Sequence, residues 1–201
     1  MSIYHLERGG HADMKRIYPM MEFDFHDWER PKHLECQRAL LRGAELLLLK
    51  NAQNAECGYA LMLKNNMTGY ALLGWLAVYP HVRGNGVGGE FLSLIREHYE
   101  GWQGLLLEVT EYPQLEKARK LHAFYGRNGY SDVNCHYTLS NRSTALMYMP
   151  IAGAQDISPA VRSIVRSVYE CMYTEKKLVI TGRDTGATSA EFADYIMSKL
   201  S

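Results

Sequence analysis

Cysteine is scarce: Cys36, Cys57, Cys135 and Cys171 are the only four in 201 residues, and no two form a Cys-x-x-Cys pair. That spacing supplies neither a zinc knuckle nor a disulfide framework, so buried reduced thiols are expected. The eight histidines show no His-x-x-x-His pairing, and no metal is expected. An excess of one charge is also lacking. Lys plus Arg number 22 and Asp plus Glu number 22, with no run of five like charges, which removes any general attraction to nucleic acid or an anionic membrane surface. No apolar stretch approaches the roughly 20 residues needed to span a bilayer. The opening Met1-Ser2-Ile3-Tyr4-His5-Leu6-Glu7-Arg8 has no hydrophobic signal core. The expectation is a cytoplasmic protein with no nucleic-acid and no membrane partner.

A chain of this length with 47% hydrophobic residues can bury one ordinary core. Its most informative segment is Val78-Tyr79-Pro80-His81-Val82-Arg83-Gly84-Asn85-Gly86-Val87-Gly88-Gly89. Upstream, Leu72-Leu73-Gly74-Trp75-Leu76-Ala77-Val78 has strand length. Downstream, Val87, Phe91, Leu94, Ile95 and Tyr99 recur at helical spacing. The glycines thus sit where a strand hands over to a helix. Backbone there can take positive φ and offer N–H groups to an anion, and Arg83 adds a positive charge. A phosphate cradle is the reading; an exposed turn with no ligand is the plain alternative. Gly84-x-Gly86-x-x-Gly89 also matches a dinucleotide fingerprint, with Glu108 or Glu111 as ribose ligand. Against that, Pro80 and Arg83 lie in a loop of several residues before the first glycine, where a dinucleotide fold runs its strand almost directly into it.

Arg83-Gly84-Asn85-Gly86-Val87-Gly88, preceded by Leu76-Ala77-Val78-Tyr79-Pro80, resembles motif A of the GNAT superfamily of acyl-CoA-dependent N-acyltransferases. Phe124-Tyr125-Gly126-Arg127-Asn128-Gly129-Tyr130 resembles that family's motif B at the expected distance. The motif-bearing part covers about residues 70 to 131, with a looser likeness to about residue 150. The resemblance implies an α/β fold with a central mostly antiparallel sheet, a splayed parallel strand pair and helices on both faces. It also implies direct transfer of an acetyl group from acetyl-CoA to an amine, without a covalent enzyme intermediate.

The pattern of elements agrees. Residues 3–6 read as a strand, and Met14, Ile17, Tyr18 and Met21 as a helix interrupted near Pro19. Pro31 suits the first turn of a second helix ending near Gly43, with Leu34 and Leu41 inward. Residues 45–50 and 56–63 read as a hairpin around Asn51-Ala52-Gln53-Asn54, followed by a strand over 70–78. Gly101 closes the helix begun near Gly86, Gly104-Leu105-Leu106-Leu107-Glu108-Val109-Thr110 is a buried strand, and Pro113 starts the helix carrying Tyr125. Residues 133–139 and 144–149 form a last antiparallel pair. The order is β-α-α-β-β-β-α-β-α-β-β.

Residues 1–150 therefore read as the acetyltransferase domain and 151–201 as a helical extension. The extension begins at Ser158-Pro159 with an apolar stripe of Val161, Ile164, Val165, Val168 and Met172. A capping box at Thr188 and Glu191 opens a second helix. The extension is expected to pack on the domain, to close over the acceptor, or to form a homodimer contact.

The resemblance assigns roles by position. Main-chain groups of Leu76, Ala77 and Val78 would meet the pantetheine arm of coenzyme A, and the amides of Arg83, Gly84, Asn85, Gly86, Val87, Gly88 and Gly89 its pyrophosphate. Tyr125 would hydrogen-bond or protonate the departing thiolate; a tyrosine that merely packs over the carrier is the alternative. An amine with a pKa of about 10.4 is neutral only about once in a few thousand molecules at pH 7, so a base is needed. Glu108, a carboxylate in an apolar strand, is the first candidate and Glu111 the second; water relay is another route. Two departures from the family stand out: residues 70–78 hold no acid, and Ala118 replaces a frequent asparagine. For the acceptor, Phe25, His26, Asp27 and Trp28 lie in a link where aromatics interleave with four acids. Such a link suits a small or lysine-like cationic amine, or is an acidic loop anchored by its rings. A non-catalytic acyl-CoA-binding sensor is the alternative to an enzyme.

Overall fold

The computed structural model describes residues 2–27, 29–110, 116–139, 142–153 and 156–172, except the side chains of 110, 134–139 and 142–144. Elements run β1 (Tyr4–Gly9), α1 (His11–Asp24), α2 (His33–Leu41), β2 (Glu45–Asn51), β3 (Glu56–Asn65), β4 (Tyr70–Val78), α3 (Val87–His98), β5 (Gly104–Thr110), α4 (Glu116–Arg127), β6 (Ser131–Leu139), β7 (Arg142–Pro150) and α5 (Val161–Tyr169). The expected order is reproduced, with α5 following it. Seven strands form one sheet in the order β1-β2-β3-β4-β5-β7-β6. Every neighbouring pair is antiparallel except β4 and β5.

The leucine-rich central strands are covered on both faces, as their near-continuous apolar runs require. On one face Met14, Ile17 and Met21 of α1, Cys36 and Ala39 of α2, and Val161, Ile164, Val165 and Val168 of α5 pack on Leu46, Leu48, Leu61, Leu72 and Leu106. On the other, Val87, Phe91, Leu92 and Ile95 of α3 pack on Leu47, Leu49, Met62, Leu73, Leu105 and Leu107. No helix among the described residues is long and apolar enough to cross a membrane.

Two local expectations are corrected. Pro19 lies inside a continuous α1: a proline removes one backbone donor, but buried Met14, Ile17 and Met21 hold both halves of the helix against the sheet. Leu34 and Leu41 are exposed rather than inward. The helix starts at His33, with Pro31 before its cap, and turns Cys36 and Ala39 to the core instead. Here the Glu35 carboxylate accepts the Lys32 N–H at 2.8 Å, a cap that fixes the helix start two residues past the proline. The stripe predicted in the extension is buried at Val161, Ile164, Val165, Val168 and Met172; the second predicted helix lies outside the described residues.

Candidate functional site

The site begins where the sheet opens. β4 and β5 pair in parallel from Tyr70 opposite Gly104 to Leu73 opposite Leu107, and the ladder ends there. At that rung β4 carries an extra residue: Leu61 of β3 faces Trp75 and Met62 faces Leu73, leaving Gly74 as a bulge. A bulge bends its strand and re-aims the residues beyond it, so β4 leaves β5 at Gly74. Tyr79 donates its N–H to the Cys57 carbonyl at 2.8 Å. By antiparallel alternation Trp75, Ala77 and Tyr79 bond to β3, while the amides of Leu76 and Val78 face the gap. A glycine inside an otherwise apolar strand was the sequence signal for this bulge.

Beyond Val78 a 3₁₀ turn, Pro80–Val82, leads to the glycines. Gly84, Asn85 and Gly86 have φ of 90°, 48° and 77°, three left-handed residues in succession. A turn of positive-φ residues leading into a helix start is the kind of backbone from which anion-binding nests are built. Gly86 caps α3 without a side chain, so the front amides of Gly88 and Gly89 have no capping oxygen and face the same way. Arg83 and Val87 depart from the expectation, because the Arg83 N–H is held by the Pro80 carbonyl at 3.3 Å and the Val87 N–H by the Gly84 carbonyl at 3.2 Å. Gly88 and Gly89 also serve packing. A Cβ on Gly88 would lie 3.2 Å from Phe124 Cζ and one on Gly89 3.0 Å from Asn128 Oδ1. Their bareness lets α4 lie close against the start of α3.

Arg83 does not aim its charge at the nest. Its Nε donates to the Val78 carbonyl at 2.7 Å and its guanidinium to Asp24 at 3.2 Å, while Tyr59 donates to the other Asp24 oxygen at 3.1 Å. The loop is thereby tied to the end of α1. On the α1–α2 link, Phe25 is half-buried against the helical face and His26 and Asp27 are exposed; Trp28 lies outside the described residues, as does Glu111. The four acids of the link are all engaged. Glu22 and Asp27 pair with Arg30, Asp24 with Arg83, and Glu29 accepts the His26 N–H at 3.1 Å. Trp75, one residue past the bulge, donates its indole N–H to the Glu29 carbonyl at 2.7 Å and pins the link over β4.

Tyr125 and Glu108 lie on opposite faces of the sheet. Tyr125 packs with α3, its ring 5.2 Å from Phe124 and 5.9 Å from Tyr130 between centroids. Burial pushes its phenol up to about 12. Glu108 alternates with Leu107 and Val109 and so shares the α1, α2 and α5 face with Leu106. It is the first β5 residue past the last paired rung, and Tyr169 of α5 donates to its Oε1 at 2.6 Å. Two groups escaped sequence reasoning. Tyr169 lies beside the apolar stripe rather than in it, and the buried Tyr130 hydroxyl finds no hydrogen-bond partner among the described residues.

A sequence profile described as an acetyltransferase (GNAT) domain matches residues 42–132. No curated protein matches the chain. Among solved structures, a putative GNAT-family acetyltransferase from Bacteroides thetaiotaomicron aligns with a TM-score of 0.64 at 18% identity, covering 83% of this chain and 96% of that one. The ribosomal-protein-S18-alanine N-acetyltransferase of Escherichia coli gives 0.58 at 17%, covering 76% and 97%. The dodecameric spermidine N-acetyltransferase of Vibrio cholerae gives 0.57 at 14%, covering 81% and 99%. These likenesses establish a shared fold.

Proposed function

We propose, from the acetyltransferase (GNAT) profile matched over residues 42–132, that the chain transfers an acetyl group from acetyl-CoA directly to an amine, either a small molecule or a lysine-like group. The observation that carries this reading is the end of the β4–β5 ladder at Leu73 and Leu107. An acyl carrier with a diphosphate and an amide-bearing arm needs an anion nest beside an unpaired strand edge. Gly84, Asn85 and Gly86 begin that nest next to the Leu76 and Val78 amides.

The two faces divide the chemistry. The carrier enters on the α3 and α4 side, where Tyr125 meets the sulfur, and the amine arrives on the α1, α2 and α5 side, where Glu108 meets its proton. Deprotonating an ordinary ammonium at pH 7 costs about 4 to 5 kcal/mol, which Glu108 offsets by accepting the proton as nitrogen attacks the thioester carbonyl. The Leu76 or Val78 amide supports the charge that develops on oxygen. The C–S bond then breaks to release coenzyme A as the thiol. With a phenol near 12 against a thiol near 8.5, full proton transfer from Tyr125 is uphill by about 5 kcal/mol. Tyr125 therefore stabilises the thiolate by hydrogen bonding, and solvent completes protonation. Residues 1–150 form the transferase unit in this reading, with 151–201 as its extension.

Glu108, the first β5 residue past the last rung paired with β4, is the carboxylate that this reading puts opposite the amine at the gap. Free-thiol release from acetyl-CoA across an amine panel, with calorimetric binding of coenzyme A in parallel, tests the proposal. Turnover with at least one amine is expected. Tight binding without turnover would favour an acyl-CoA sensor, and absent binding would end both readings.

A further inference from the structure

The extension reaches the site. α5 lies on the acceptor-side face with Val161, Ile164, Val165, Val168 and Tyr169 all buried. Its last turn is fastened to the β3–β4 turn: Asn65 donates to the Ser167 carbonyl at 3.2 Å, and the Ser167 and Thr68 hydroxyls meet at 3.3 Å. Cys171 and Met172 follow into the core. These contacts hold the Tyr169 ring in one place, 5% exposed, with its hydroxyl 2.6 Å from Glu108 Oε1. Glu108 itself stands at the rung where β4 and β5 part.

A carboxylate that takes a proton from an incoming amine has two oxygens. One must be held for the other to point reproducibly, because its end rotates about a soft torsion. A hydroxyl donor suits this role, since it fixes one oxygen without supplying a neutralising charge. We infer that Tyr169, supplied by the C-terminal extension, is a positioning residue that orients Glu108 at the mouth of the β4–β5 gap, so that the extension completes the acceptor side of the catalytic centre. The inference rests on Glu108 acting as the base in the reaction proposed above. Tyr169 lies outside the segment matched as an acetyltransferase domain, which ends at residue 132.

The test is kinetic and uses the full chain, with an amine that the panel shows to be acetylated and active sites counted by coenzyme A binding. Tyr169→Phe keeps the buried ring and deletes only the hydroxyl. It should lower kcat about tenfold while the KM for acetyl-CoA stays unchanged. Glu108→Gln should lower kcat further, and adding Tyr169→Phe to it should cost nothing more, because the hydroxyl acts through the carboxylate. Tyr148→Phe is the control: it removes another hydroxyl from the same face, one that donates to the Gln103 carbonyl at 3.2 Å, and should leave kcat as it was. An unchanged kcat in Tyr169→Phe, or losses that multiply in the double variant, overturns the inference and leaves the acetyltransferase reading intact. Full activity in Glu108→Gln overturns both the inference and the role of Glu108, while coenzyme A binding and thiol release still decide the transferase reading.

Discussion

Arg83 bonds Asp24 at 3.2 Å while its Nε holds the Val78 carbonyl at 2.7 Å. One guanidinium therefore joins the end of α1, the last residue of β4 and the loop that carries the nest. Its side chain remains 53% exposed, so the ion pair itself adds little stability. Its effect is geometric: it holds the Val78 carbonyl and leaves the Val78 amide facing the gap.

Replacing Arg83 with Ala should accordingly weaken coenzyme A binding by about three- to tenfold through loss of loop order. The dependence of binding on salt should stay nearly that of the wild type, because no phosphate contact is lost. Lysine, with no Nε–H in the fork, should not restore it. Calorimetric titrations at two ionic strengths decide the matter. A markedly shallower salt dependence in the variant would mean that Arg83 pairs with the diphosphate.

Gly58 of β3 faces Val78 across the ladder, and a Cβ there would run into the Ala77 carbonyl oxygen, with the Val78 Cα 3.2 Å away. Both are backbone atoms that cannot rotate aside. Gly58→Ala should destabilise the fold by about 2 to 3 kcal/mol, lowering the melting temperature by roughly 5 to 10 °C in a chain of this size. It should also disturb coenzyme A binding, since Ala77 and Val78 must shift. A thermal melt within 2 °C of the wild type would refute the close crossing of β3 and β4.

The order of strands and helices and the place of the glycine loop were legible because they depend on local pattern: leucine runs, helical stripes and turn residues. The extent of β4 and β5 followed from their apolar runs alone. What pattern could not convey was pairing between distant residues. Arg83 reads as a free cation until Asp24, 59 positions earlier, is brought beside it. The acids of the link read as an electrostatic lure until Arg30 is seen between Glu22 and Asp27. Leu34 and Leu41 mislead because the smaller Cys36 and Ala39 occupy the face turned to the sheet, and apolar residues at a surface cost little. Tyr169 carries no signature, since a tyrosine beside an apolar stripe reads as core until the group opposite its hydroxyl is known.

Tyr125→Phe should lower kcat by roughly 10- to 100-fold, the size of one lost transition-state hydrogen bond, with the KM for acetyl-CoA nearly unchanged. Since burial pushes the phenol up to about 12, the wild-type rate should show no descending limb from this group below about pH 11. A wild-type limb near pH 10 that vanishes in Tyr125→Phe would show a phenol of ordinary acidity and restore it as a proton donor.

Glu45, 2% exposed, is the first residue of β2. It receives the Tyr99 hydroxyl at 2.8 Å and pairs with Lys64 at 3.2 Å, with Arg8, and with His98 at 3.3 Å. Burial alone would raise its pKa, but the Tyr99 hydrogen bond and the Lys64 charge outweigh it and bring the carboxyl down to about 2 from an ordinary 4.5. A depressed folded value means that the stabilisation is fully present above about pH 4.5 and is lost as pH falls toward 2. The shift corresponds to about 3 kcal/mol. Glu45→Gln should therefore destabilise the fold by about 3 kcal/mol at pH 7, leaving Lys64 and Arg8 without their buried counter-charge. The gap between variant and wild type should close as pH falls from 4.5 to 2. Urea titrations at pH 7, 4.5 and 3 measure this, and a gap that stays constant across them would show that Glu45 contributes packing rather than charge.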